Sequence, residues 1–264
     1  MKKLIPLLLF FVALPSWAQR QFDIEVVVFK RSVNPEQTAE SWPNSQPAIS
    51  LDGTGTFADS SYRARKGVQM LPYSSYKLNN EVTKLKKHAG FEVLLHKAWR
   101  QGDRGRLSAP TFHIQAGKDY SNIFDAEGNR IGSKQAKEVI DGVTETSIPK
   151  PLYELDGKLQ IYVEHYLYAD VELDLKSPSV REVVLQDPID IEPSTTEVTA
   201  QGEQATTNST VEAGFMEQVS PTIEKQEFLK SYRFDQKRRM RSTETHYLDH
   251  PLMGVIIQVR RVNQ

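Results

Sequence analysis

Between Leu159 and Leu175 the chain alternates without a break. Odd positions carry Leu159, Ile161, Val163, His165, Leu167, Ala169, Val171, Leu173 and Leu175; even positions carry Gln160, Tyr162, Glu164, Tyr166, Tyr168, Asp170, Glu172 and Asp174. Only an extended strand returns every second side chain to one face, so this stretch belongs to a sheet with one buried and one wet face. That is the habit of an antiparallel sheet. The run is 17 residues long, beyond an ordinary strand, which predicts a bend, bulge or hairpin near Ala169-Asp170. His165, in the apolar row, reads as a satisfied core histidine.

Other segments fit round this sheet. In Phe22–Phe29 (FDIEVVVF), Phe22, Ile24, Val26 and Val28 share a face, and the opposite face turns apolar at Val27 and Phe29. This predicts a central strand, buried on both sides near its end. Residues 31–73 are rich in Ser, Pro and Gly and read as a long excursion with few fixed elements. Leu78, Val82, Leu85 and Ala89 recur at helical spacing, with Asn79 or Asn80 to cap the start and Gly90 to stop the helix. Strands are expected at Phe91–Trp99, Thr111–Gln115, Glu227–Phe234 and Gly254–Val259, with a weak helical pattern near 134–140. Residues 185–224, dominated by Ser, Thr, Glu, Gln, Pro and Ala, cannot bury enough apolar area to offset their ordering entropy and read as a long disordered insert within the fold. The expected class is α+β: a mainly antiparallel β-sheet with a helix packed on one face, in a single domain spanning 19–264.

The first 18 residues set the compartment. Lys2 and Lys3 precede an apolar run from Leu4 to Leu14, and Ser16-Trp17-Ala18 places small residues where a signal peptidase reads. This predicts a Sec signal peptide over 1–18, cleaved between Ala18 and Gln19. The run is about half the roughly 20 residues that a membrane span requires. Removing Lys2 and Lys3 leaves 31 Lys+Arg against 34 Asp+Glu, a net charge near −3, which gives no global field for nucleic acid or anionic membrane. With no Cys there is no disulfide, thiolate metal site or thiol nucleophile. Gly-x-Ser-x-Gly, His-Glu-x-x-His and P-loop patterns are absent from the sequence. No cofactor is implied.

Near the C-terminus, Arg238-Arg239-Met240-Arg241-Ser242 leads through Thr243-Glu244-Thr245 into His246-Tyr247-Leu248-Asp249-His250-Pro251-Leu252-Met253-Gly254. This string resembles the signature of the CsiV family, periplasmic peptidoglycan-binding proteins of gammaproteobacteria. The opening FDIEVVVFKR, the segment GFEVLLHKAWRQ at 90–101 and Glu164-His165-Tyr166-Leu167 are similar to the family pattern, in its order along the chain. The resemblance implies cell-wall binding without catalysis. It also implies partnership with a class A penicillin-binding protein and its outer-membrane lipoprotein activator.

Tyr162, Tyr166 and Tyr168 fall on the wet side of the alternation, beside Gln160, Glu164 and Asp170. Such a row suits a glycan strand, because aromatic faces pack on sugar rings while polar groups read hydroxyls and amides. The competing reading makes these tyrosines core, covered by the helix or a loop. Lys237, Arg238, Arg239 and Arg241 form the one dense basic cluster. In a strand Arg239 and Arg241 share a face, and Arg forks pair with carboxylates of the kind stem peptides carry. Its competing reading is a solvated edge strand guarded by charge. Tyr162, Tyr166, Tyr168, Arg239 and Arg241 are therefore the expected peptidoglycan contacts. His246, Asp249 and His250 read as a loop between strands, with Asp249 capping a turn, rather than as a metal site. Two other functions stay open: a wall hydrolase using an acidic pair such as Glu164 and Asp170, and a protein–protein adaptor with residues 195–222 as a flexible arm.

Overall fold

The computed structural model describes residues 20–132, 150–185 and 222–262. The expected signal peptide, the helical pattern at 134–140 and most of the expected insert lie outside these residues.

Two antiparallel sheets pack face to face. The first contains β1 (Gln21–Arg31), β2 (Gln69–Met70), β3 (Phe91–Gly102), β8 (Thr245–Asp249) and β9 (Met253–Arg261), in the order β2-β3-β1-β9-β8. The second contains β4 (Thr111–Asp119), β5 (Tyr153–Val163), β6 (Leu167–Leu185) and β7 (Thr222–Met240), in that order. Among the described residues there are two α-helices, α1 (Ser60–Lys66) and α2 (Asn79–Lys87), both in the connections between strands of the first sheet. The α+β class, mainly antiparallel with a helix on one sheet face, holds.

The core follows from the alternation. Phe22, Ile24, Val26 and Val28 of β1 meet Leu155, Leu159 and Ile161 of β5, Ala169, Val171 and Leu173 of β6, and Phe234 of β7. Trp99, Phe112 and Tyr232 are wholly or almost wholly buried in the same cluster. β1 sits between β3 and β9 and is buried on both faces over Val26–Phe29, as its sequence predicts. On its outer face Val27 contacts Leu78 and Val82 of α2, with Leu85, Val93 and Ile256 closing the cluster. Leu78 occupies the N-cap of α2 without a side-chain cap, so neither Asn79 nor Asn80 serves; the carboxylate of Glu25 on β1 instead accepts the N–H groups of Lys77 and Leu78 at 2.7 and 2.9 Å. The helix ends at Lys87, and Ala89 is exposed rather than packed.

The long excursion after β1 is fastened to the sandwich. Trp42 packs on Tyr232 and His250, Phe57 stacks on Phe112 at 4.2 Å, and Gly55 bridges to Phe112. The helix α1 within it is capped by Asp59, whose side chain accepts the Tyr62 N–H.

The 159–175 run is a hairpin, as its length requires, but it turns at Glu164-His165-Tyr166 rather than near Ala169-Asp170. His165 therefore leaves the apolar row and is exposed. The expected insert is narrower than 185–224: Leu185 pairs with Thr222 and Val183 with Glu224, in the ladder that joins β6 to β7.

Candidate functional site

The expected contact residues meet on the outer face of the second sheet and at its end. Tyr162 lies opposite Tyr168, Tyr168 opposite Arg239, and Asp170 opposite Lys237. Directly opposed residues share a sheet face, so three strands contribute to one surface. The Tyr162 and Tyr168 rings stack with centroids 5.4 Å apart. The Lys237 ammonium lies 5.6 and 5.3 Å from those two centroids, and the Arg239 guanidinium lies 4.6 Å from the centre of Tyr166. Cations held over aromatic faces gain from the ring quadrupole and fix the rings in place.

These side chains differ in access. Tyr166, in the β5–β6 turn, is 54% exposed, and Lys237, Arg238, Arg239 and Arg241 are exposed. Tyr168 is half-buried. Tyr162 is wholly buried, against its expected place on a wet face. The loop after β3 folds back over that part of the sheet. Its Arg104 carbonyl accepts the Val163 N–H at 2.9 Å, its Arg106 carbonyl accepts the Gln160 amide at 2.7 Å, and Arg106 pairs with Asp170 at 3.2 Å. Tyr162 thus packs beside Tyr168 on the same face, under the loop. β7 ends at Met240, so Arg241 does not continue the strand face beside Arg239; it turns to the end of the sandwich, where it and Tyr166 line one cleft.

The resulting surface has a half-exposed tyrosine backed by a guanidinium, a second tyrosine inboard and a row of cations. It can stack on a sugar ring or an amide plane and hold an anion beside it. The acidic pair expected of a hydrolase has a different setting: Glu164 is exposed in the turn, while Asp170 is bound by Arg106.

The C-terminal signature folds as the β8–β9 hairpin. Arg31 donates hydrogen bonds to the Tyr247 hydroxyl and to Asp249, and the Tyr247 hydroxyl donates to Asp249 at 2.6 Å. Tyr247 stacks on Phe29, 6.3 Å between centroids. His250 is buried between Trp42 and Phe234, at 5.0 and 5.7 Å, and burial pushes its pKa down. His246 hydrogen-bonds the backbone of Arg241 at 3.1 Å. His246, Asp249 and His250 are thus engaged separately, and among the described residues no group of three or more His, Asp or Glu side chains could hold a metal ion.

The family described as peptidoglycan-binding protein, CsiV, matches residues 3–262, and the chain belongs to that family. No curated protein and no solved structure matches it.

Proposed function

We propose that the chain is a non-catalytic periplasmic protein of one α+β domain over 19–264, exported by the signal at 1–18. In this reading it binds peptidoglycan through Tyr166, Tyr168, Arg239 and Arg241, with Tyr162 buried beside Tyr168. It supports cell-wall synthesis by a class A penicillin-binding protein and its outer-membrane lipoprotein activator. The observation that carries the reading is the half-exposed Tyr166 ring held by Arg239 at 4.6 Å, on the face that also presents Tyr168 and Lys237. Family membership supplies the ligand class, and the sequence signature supplies the expected synthase partners. Co-sedimentation with purified sacculi tests the site. A Tyr166→Ala, Arg239→Ala, Arg241→Ala triple variant should lose at least about 100-fold in affinity, because each aromatic or charge-assisted contact is worth about 1 kcal/mol or more. Full retention of binding by the folded variant would remove this site.

A further inference from the structure

At the end of the sandwich, next to Tyr166, lies a cleft of about 250 Å³. It forms where the start of β1 and the end of β9 approach the β5–β6 turn and the end of β7. Phe22, Leu167 and Met240 line it and are buried. Arg20, Arg241 and Arg261 also line it, together with Tyr166 and His165. Among the described residues no carboxylate lines it.

The arginines are available to differing degrees. Arg20 is paired with Asp103 at 2.5 Å. Arg241 has only a loose partner, Glu244 at 3.8 Å, and both side chains are mostly exposed. Arg261, opposite Phe22 in the β1–β9 ladder, is exposed and makes no ion pair among the described residues. Three guanidinium groups round an apolar lining, two of them loosely held or unpaired, form a site for an anion attached to a small apolar body. Guanidinium forks match the geometry of a carboxylate. The volume is near the small end of ligand sites, about 300–1,000 Å³, which suits the end of a short peptide.

We infer that this cleft takes the carboxylate-bearing end of a peptidoglycan stem peptide, with Arg241 and Arg261 on the carboxylate and Phe22, Leu167 and Met240 against its aliphatic carbons. The inference rests on the proposed peptidoglycan reading and divides the surface in two: Tyr166, Tyr168 and Arg239 meet the glycan, while the cleft meets the peptide. Arg20 and Arg261 enter the site only through the fold, since they are far apart in the chain and outside the basic cluster.

The test measures binding of the mature chain and of an Arg241→Gln, Arg261→Gln variant to four probes. These are intact sacculi, glycan stripped of stem peptides by an amidase, a free stem tetrapeptide, and the same tetrapeptide with its carboxylates amidated. Both positions are exposed, and an unchanged melting temperature verifies the fold. The inference predicts that the wild type binds the free tetrapeptide and loses about tenfold or more on amidation. The variant should lose the tetrapeptide and keep the stripped glycan. Equal binding of free and amidated peptide, or an unaffected variant, overturns the cleft assignment while leaving sacculus binding in place. Displacement of the tetrapeptide by inorganic phosphate at equal concentration also overturns it, since the cleft would then be a general anion site. Failure of the wild type to bind sacculi would instead remove the underlying peptidoglycan reading.

Discussion

Glu25 is wholly buried on β1, beneath the start of α2, and yet is held ionised. Burial by itself raises its pKa. The hydrogen bond with His96 at 2.8 Å, the N–H groups of Lys77 and Leu78, and Arg260 at 3.1 Å outweigh that cost and lower the pKa from 4.5 to about 2. A carboxylate whose folded pKa is depressed stabilises the fold above its unfolded pKa, and that contribution is lost as pH falls through the folded value. Stability should therefore decline between pH 4.5 and about 2, with Glu25 supplying roughly 3 kcal/mol of the decline. Urea unfolding of the wild type and of Glu25→Gln across that range measures it. The variant should be less stable at neutral pH and have a flatter acid profile; parallel profiles would contradict the assignment. In the sequence Glu25 alternates with Ile24 and Val26 of a central strand, and nothing local pairs it with a helix more than fifty positions away, because that contact exists only once α2 lies on the sheet.

At the scale of elements, the period-two pattern identified β5 and β6 and concealed the turn between them. A three-residue turn pairs Val163 with Leu167 and Leu155 with Leu175, so opposed residues share parity and the buried face stays on odd numbers through the hairpin. A parity change would have marked the turn; without one, the 17-residue length calls for a turn but the pattern does not place it. β7 has the opposite parity to β6: Leu173 faces Phe234, and Tyr168 faces Arg239. This register brings the basic cluster onto the tyrosine face, and nothing local in the sequence states it. The aromatic and cationic residue types were therefore legible, whereas the burial of Tyr162 and the recruitment of Arg20 and Arg261 were not, since they depend on a covering loop and on the β1–β9 ladder. The C-terminal signature reads, in the structure, as a fastening of the β8–β9 hairpin. A Cβ at Gly254 would lie 2.5 Å from the Phe29 ring and 2.8 Å from that of Tyr247. Both rings are held, Phe29 by burial and Tyr247 by Arg31 and Asp249. Gly254→Ala should cost about 1–3 kcal/mol through overpacking. A thermal melt should show the loss; an unchanged midpoint would mean that the two rings yield freely.

For the whole molecule, the sandwich turns one face of its first sheet toward α2 and leaves the outer face of the second partly covered by the loop after β3. What stays accessible is the half-exposed tyrosine, the cation row and the cleft at the adjoining end, and the proposed binding surface is built from β5, β6 and β7. The central claim is that this surface holds peptidoglycan without cleaving it. The most direct test is co-sedimentation of mature 19–264 with purified sacculi, with the supernatant assayed for released muropeptides. The account predicts that the protein pellets with the sacculi and that no fragments appear. Release of muropeptides would make the protein an enzyme, and a protein that stays in the supernatant would make it an adaptor; either result contradicts the account.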